Sequence, residues 1–149
     1  MEERAQAIVI RNQKMLFAYG MIRNELRHSF IGGRIESGET ASEAVLRELK
    51  EEANVTGQII FKFAQEIRAN HQTFLVDIDL AEVTLGNDPE ESTLQPNERS
   101  LQDLLWLDLR DKHLFTDIDK EYLSLLRDEC NRTDYSSSWL SLVAEIIKN

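Results

Sequence analysis

One segment constrains this chain more than any other, because it places three acids on one side of a predicted helix. Glu48, Glu51 and Glu52 stand at positions i, i+3 and i+4, so a helix would project their carboxylates from a single face. Like charges at this spacing destabilise an isolated helix by roughly a few tenths of a kcal/mol per pair. A hard divalent cation relieves that repulsion, since Mg²⁺ and Mn²⁺ prefer oxygen ligands and also bind phosphate oxygens. The segment therefore predicts a metal-dependent phosphate site.

The residues around these acids support a helix at this place. Thr40 and Glu43 have the spacing of a capping box, in which a hydroxyl and a glutamate cover free amides at a helix start. We therefore predict a helix over residues 40–53. Its apolar residues lie on the flank turned away from the carboxylates: Val45, Leu46, Leu49 and Ala53. One side of the helix should pack inward while the other faces a cleft.

The rest of the chain alternates between strand-like and helix-like segments. Alternating, β-branched and aromatic patterns predict strands over residues 4–10, 14–19, 58–69, 72–83 and 104–107. Helices are predicted over residues 117–130 and 138–148, the second capped from the serine run 136–138. The basic stretch 21–28 is expected to be a loop or an edge segment, and residues 84–97, which hold both prolines, a surface loop. The order predicts an α/β (α+β) sandwich, with a mixed β-sheet flanked by helices on both faces.

Length and charge limit the functions open to this chain. Its 149 residues suit a single domain spanning residues 1–149. The formal net charge of −10 argues against a nucleic-acid polymer or an anionic membrane as partner, because both require basic patches. A small polyanionic substrate remains compatible if metal ions neutralise it locally. The first residues lack a signal-peptide profile and no apolar run has membrane-spanning length, so the expected location is cytoplasmic.

A longer spacing pattern surrounds the three acids. It reads Gly33-(five)-Glu39-(seven)-Arg47-Glu48-Leu49-Lys50-Glu51-Glu52-Ala53-Asn54-Val55. This pattern resembles the signature of the Nudix hydrolases. A solvated acidic helix is the ordinary interpretation of a charge run, but a run alone does not place Gly33, Glu39 and Arg47. Asn54 departs from the signature, because a glycine is usual there, yet asparagine is the next-best residue for a left-handed helix end.

The resemblance implies a set of metal ligands and supporting residues. Mg²⁺ or Mn²⁺ would be bound by the three carboxylates and by the backbone carbonyl of Gly33. Arg47 would orient a neighbouring carboxylate, and Glu39 would anchor the preceding loop to the helix. Glu98 resembles the additional acid that many members bring from a later loop, where it would complete the metal shell or act as a base. The implied reaction is attack of water on a phosphorus of a nucleoside diphosphate linked to another moiety, with Glu48 or Glu98 accepting the proton.

The substrate is a small-molecule nucleotide by the same resemblance. Four arginines are candidates for clamping its phosphates, although each alone is more often an ordinary surface residue: Arg23, Arg27, Arg34 and Arg68. Markers of the ADP-ribose, dinucleoside polyphosphate and NADH hydrolases are absent where the resemblance would place them. Nucleoside or deoxynucleoside triphosphates are therefore the expected class, giving a monophosphate and pyrophosphate.

Two questions stay open at this point. The alternative to an enzyme is a Nudix-like module that binds or senses a nucleotide without hydrolysing it. The intact acids at positions 48, 51 and 52 favour the enzyme, because a pure binder would be free to lose some of them. A homodimer is compatible with the resemblance, but the sequence shows no interface.

Overall fold

Two four-stranded β-sheets form the centre of the protein in a computed structural model that describes residues 2–148. The first sheet contains β1 (Arg4–Ile8), β5 (Ile31–Arg34), β6 (Gln58–Lys62) and β7 (His71–Asp77). Its strand order is β5-β1-β7-β6, with β1 parallel to β7 and the other pairs antiparallel. The second sheet contains β2 (Ile10–Arg11), β3 (Lys14–Ile22), β4 (Glu25–Ser29) and β8 (Leu101–Asp108). Here every other strand pairs antiparallel with β3.

Three helices cover the sheets: α1 (Ala41–Ala53), α2 (Asp117–Arg132) and α3 (Leu140–Ile147). The alternation of side chains along β7 shows how the layers are built, since successive residues of a strand point to opposite faces. Phe74 and Val76 belong to the buried cluster that contains the apolar flank of α1. Leu75, between them, belongs to the cluster formed with α2 and α3. The predicted mixed sheet with helices on both faces is confirmed.

The first helix forms where the capping box predicted it. Thr40 Oγ1 accepts a hydrogen bond from the Glu43 amide at 3.1 Å, and the Glu43 carboxylate accepts one from the Thr40 amide at 2.9 Å. Asn54 ends the helix in the left-handed conformation, with φ 56° and ψ 35°. The buried face consists of Ala44, Val45, Leu49 and Ala53. These residues press α1 onto the first sheet and leave its acidic face free.

Several strand and helix boundaries differ from the predictions. The segment 21–28 is an edge segment and not a loop: it forms a hairpin whose turn residues Arg23 and Asn24 both adopt positive φ, and β4 stands at the end of its strand order. The strand predicted over 58–69 ends at Lys62, and the one predicted over 72–83 ends at Asp77. Beyond that point the Arg11 guanidinium binds the carbonyls of residues 79 and 81, so the chain leaves the sheet.

The C-terminal half shows two further differences. The strand predicted over 104–107 spans Leu101–Asp108, because it pairs along most of β3. The last helix begins at Leu140 after Trp139, which makes no side-chain capping bond, so the expected serine cap is not formed. Residues 84–97 form the expected loop and include 3₁₀ turns at Pro89–Glu91 and Pro96–Glu98. Within residues 2–148, none of the helices combines the length and the hydropathy needed to cross a membrane.

Candidate functional site

A cavity of about 680 Å³ lies beside the acidic face of α1. The end of β3 and the glycine-containing strand β5 form one part of its wall, and the loop over residues 88–91 forms another. The helix contributes Arg47, Glu48, Glu51 and Glu52. The predicted carboxylates therefore face a common cavity and are partly shielded, with side-chain exposures of 13% for Glu48 and 26% for Glu51.

Arg47 is the centre of a polar network that joins α1 to the preceding loop. Its Nε and Nη2 donate to the two oxygens of Glu39 at 2.8 and 3.0 Å, a two-pronged pairing that fixes both side chains. Nη2 also donates to the carbonyl of Arg34 at 3.0 Å. Nη1 donates to Glu48 at 3.0 Å and to Glu51 at 3.2 Å. Arg47 therefore links Glu39 of the preceding loop to Glu48 and Glu51 of the helix.

The charges in this network stabilise one another. The hydrogen bonds from Arg47 hold the pKa of Glu39 below its ordinary value, while the Glu39 carboxylate raises the pKa of the Arg47 guanidinium. Glu39 also accepts a hydrogen bond from the Glu36 amide at 3.0 Å. The loop between β5 and α1 is thereby tied to the helix by groups that stay ionised near neutral pH.

Glu52 has the opposite environment. Its Oε2 atom is buried and has no hydrogen-bond partner among the described residues. Burial, followed by the neighbouring Glu48 carboxylate, raises the pKa of Glu52 well above its usual range. Burial and then Glu48 also raise the pKa of Glu51. A shielded carboxylate oxygen without a partner is costly in free energy. The acidic ridge of α1, formed by Glu48, Glu51 and Glu52, would therefore be stabilised by a cation or by a proton.

The backbone of β5 runs directly against this ridge. A Cβ added to Gly33 would lie 2.4 Å from Oε1 of Glu48. Only glycine allows this approach without displacing the carboxylate. The contact places the backbone of Gly33 beside the Glu48 carboxylate, and its carbonyl stays a predicted ligand.

The side chains are not already arranged as a metal cage. Across residues 2–148, no three histidine, cysteine, aspartate or glutamate side chains converge in a way that could hold an ion together. Glu48 and Glu51 each accept a hydrogen bond from the Arg47 guanidinium instead. The donor set nevertheless fits a hard divalent cation: its side-chain donors are carboxylate oxygens, and the buried Oε2 of Glu52 has no competing partner within residues 2–148.

Other predicted site residues lie elsewhere. The structure does not bring Glu98 to the cavity: this residue is exposed, and its Oε1 accepts a hydrogen bond from the Gln95 amide within its own turn. Arg27 pairs with Glu25 on the hairpin. Neither Arg27 nor Arg23 lines the cavity, and Arg68 does not line it either. Arg34 alone of the four candidate arginines lies at the cavity, where its Nε is 3.2 Å from a Glu2 oxygen.

Several residues that line the cavity were not predicted as site residues from the sequence: Arg4, Asp88, Glu90 and Glu91. Three of these are acids around a proline in the loop that was expected to be only a surface connection. The sequence signal was present, because an acidic run beginning Asp88-Pro89 starts a turn. The position of this acidic run next to α1 depends on contacts between distant segments, which no local sequence pattern reveals.

Comparison with known proteins places these features in context. The sequence profile of the NUDIX domain matches residues 1–128. The 8-oxo-dGTP diphosphatase of Escherichia coli (strain K12) is 40% identical over 31% of this chain and 48% of its own length. An isopentenyl-diphosphate Delta-isomerase of Cereibacter sphaeroides is 27% identical over 50% of this chain and 42% of its own length. The matches thus span less than half of either relative.

The fold has counterparts among solved structures. The crystal structure of a C. elegans Ap4A hydrolase binary complex superposes with a TM-score of 0.60 and 21% sequence identity, covering 89% of this chain and 98% of that one. At this identity the likeness concerns the fold. It matches the mixed sheets and flanking helices described above.

Proposed function

The chain belongs to the NUDIX family, and from this premise we propose that it is a metal-dependent hydrolase of nucleotides. The reaction would split a nucleoside diphosphate linked to another moiety, with a nucleoside or deoxynucleoside triphosphate as the leading substrate and a monophosphate and pyrophosphate as products. The observation that carries the proposal is the buried, unpartnered Oε2 of Glu52 on an acidic ridge that lines a large cavity.

The ridge would hold Mg²⁺ or Mn²⁺ through Glu48, Glu51 and Glu52, with the carbonyl of Gly33. A bound ion of this kind polarises phosphoryl oxygens, lowers the pKa of an attacking water and neutralises the leaving phosphate. The negative charge of the ridge would otherwise repel a polyanionic substrate. Glu48 and Glu51 would have to turn from Arg47 towards the cavity to act as ligands.

The chain's own groups supply the remaining steps. Glu48 is the favoured proton acceptor, since it lines the cavity and its carboxylate is largely shielded. A role for Glu98 would require the Pro96–Glu98 turn to open and release its carboxylate. Arg47 would keep the helix and the β5–α1 loop in one geometry while Glu48 reorients. Arg34 and Arg4, both lining the cavity, would bind the outer phosphates.

The relatives support the substrate class without deciding it. One relative is a diphosphatase whose name gives 8-oxo-dGTP, a nucleoside triphosphate. That choice agrees with the absence of the other subfamily markers. A single domain over residues 1–149, a homodimer and a cytoplasmic location stay predictions of the sequence.

A panel of compounds with Mg²⁺ tests this proposal. It should contain nucleoside and deoxynucleoside triphosphates, ADP-ribose, a dinucleoside polyphosphate and, because one relative is an isomerase, isopentenyl diphosphate. We expect pyrophosphate release from at least one triphosphate and none without a divalent ion. Tight nucleotide binding with no turnover of any compound would instead indicate the sensor module. Conversion of isopentenyl diphosphate to an isomer would contradict a hydrolase.

A further inference from the structure

We propose that Asn54 is a positioning residue whose side chain fastens residues 84–87 to the end of α1 and so sets the acidic loop wall of the cavity. The inference rests on the proposed function, because it gives this wall a part in binding the divalent ion. The wall is defined as residues 88–91, of which Asp88, Glu90 and Glu91 are acids that line the cavity.

The side chain of Asn54 contacts the loop that follows β7. The residue occupies the left-handed conformation that ends α1, where a glycine would also fit. Unlike glycine, it has an amide, and Nδ2 lies within donor distance of three oxygens of the loop. These are the Thr84 carbonyl at 3.2 Å, Thr84 Oγ1 at 3.0 Å and the Leu85 carbonyl at 3.4 Å. The departure from the family signature therefore adds a connection to the loop.

The backbone of the same loop also binds the end of α1. The last carbonyls of a helix have no partner within the helix. Here the loop supplies the missing donors. The Thr84 amide donates to the Ala53 carbonyl at 3.2 Å, the Gly86 amide to the Glu52 carbonyl at 2.7 Å, and the Asn87 amide to the Glu51 carbonyl at 3.0 Å. Two of these carbonyls belong to the residues whose carboxylates form the ridge. The loop and the ridge are thus joined through the backbone of the helix end.

Gly86 shows how close this contact is. A Cβ on Gly86 would lie 1.8 Å from the carbonyl oxygen of Glu51. No other residue fits without moving the loop off the helix. The far end of the wall is held separately, because Glu91 accepts hydrogen bonds from the amide and hydroxyl of Ser100. Asp88 and Glu90 lie between these two attachments, so loosening the Asn54 end should release them.

The test uses the full chain with Asn54→Gly, which keeps the left-handed helix end and removes only the side-chain contacts. Asn12→Gly is the matched control, because Asn12 also has positive φ, at 53°, but lies in the β2–β3 turn outside the cavity. Two measurements are made on each protein. One is amide hydrogen exchange at Gly86 and Asn87, and the other is affinity for Mn²⁺ alone, measured by electron paramagnetic resonance.

We expect exchange at Gly86 and Asn87 to accelerate by about tenfold in Asn54→Gly, and Mn²⁺ affinity to fall by a factor of about three or more. The control should match the wild type in both. Asn54→Asp should also accelerate exchange, because a carboxylate cannot donate to the carbonyls of Thr84 and Leu85 and can at most accept from the Thr84 hydroxyl. Gly86→Ala perturbs the same contact from the loop side, because its Cβ would meet the Glu51 carbonyl. If this variant folds, its exchange should also accelerate and its Mn²⁺ affinity should also fall.

Unchanged exchange in Asn54→Gly would overturn the proposal, since the side chain would then not hold the loop. Faster exchange with unchanged Mn²⁺ affinity would also overturn it, because Asn54 would be structural only. The proposed hydrolysis fails separately: if no nucleotide is cleaved while exchange and Mn²⁺ affinity respond as expected, the positioning role stands and the catalytic function does not.

Discussion

The two faces of the sheets each shield a glutamate oxygen, but the two glutamates have opposite surroundings. On the side of α2 and α3, Glu129 is 1% exposed, and one of its carboxylate oxygens is paired. Its Oε1 accepts hydrogen bonds from the Ala64 amide at 2.7 Å and from Arg132 Nε at 3.0 Å. On the side of α1, Oε2 of Glu52 has no partner among the described residues.

The difference indicates that Glu129 stabilises the fold, whereas Glu52 is available to bind a ligand. Glu129 connects the end of β6 to α2, because Arg132 also donates to the carbonyl of Lys62. Its charge is compensated within the protein. Glu52 accepts a backbone hydrogen bond from Gly32, but its buried Oε2 has no partner among the described residues, which costs free energy that a cation or a proton would offset. Applying the same substitution to both residues should therefore give opposite results.

The largest effect is expected for Glu52→Gln. Turnover should fall by about 10²-fold or more, because the substitution removes a charged metal ligand. The free energy of unfolding should stay the same or rise, since burial disfavours the charged form of Glu52 and the amide that replaces it is neutral. Steady-state kinetics and urea denaturation measure the two quantities. Turnover at the wild-type rate would show that the metal site is misassigned.

Glu129→Gln is the matched change on the other face. It keeps the shape of the side chain but removes the charge that pairs with Arg132, so the free energy of unfolding should drop by about 1–2 kcal/mol. The turnover of the folded protein should be unchanged, because the residue lies across the sheets from the cavity. A loss of turnover without a loss of stability would break the distinction between the two faces.

The arginines allow a smaller version of the same comparison. Arg34→Ala should raise the KM for a nucleoside triphosphate by about three- to tenfold, because Arg34 lines the cavity and can bind phosphate oxygens. Arg68→Ala serves as the control, since Arg68 is exposed outside the cavity. Initial rates over a range of substrate concentrations give both values. Equal KM values for the two variants would argue against phosphate binding by Arg34.

The smallest expected effect is the pH dependence of stability that arises from the Glu39–Arg47 ion pair. The pKa of Glu39 is lowered in the folded protein by the hydrogen bonds from Arg47. Its contribution to stability, about 1 kcal/mol, is therefore present above the ordinary glutamate pKa of about 4.3 and is lost as the pH falls below it. Urea denaturation of wild type and Glu39→Gln should show a difference near neutral pH that shrinks in acid. A difference that is constant with pH would contradict this assignment.

The sequence predicted the ridge because its signals are local. A capping box and a 3.6-residue period placed α1 correctly, and the spacing of Glu48, Glu51 and Glu52 was enough to place them beside a cavity. The left-handed end at Asn54 was likewise expected from residue type alone. In each case neighbours in the chain determine the conformation.

Features set by contacts between distant segments were not predicted. The predicted strand over 72–83 ends early because Arg11, far away in sequence, binds the carbonyls that follow Asp77. Glu98 was chosen from its resemblance to a later-loop acid, but its carboxylate caps its own turn. Asp88 reaches the cavity because the preceding amides bind the last carbonyls of α1. No local pattern encodes that docking.

The most direct test of the acidic ridge is a crystal of the protein soaked with Mn²⁺ and a non-hydrolysable nucleotide, with anomalous diffraction recorded at the manganese edge. We expect an anomalous peak beside the carboxylates of Glu48, Glu51 and Glu52 and the carbonyl of Gly33, with the diphosphate against it. No peak at this place, with Glu48 and Glu51 still paired to Arg47 and the nucleotide bound elsewhere, would contradict this expectation.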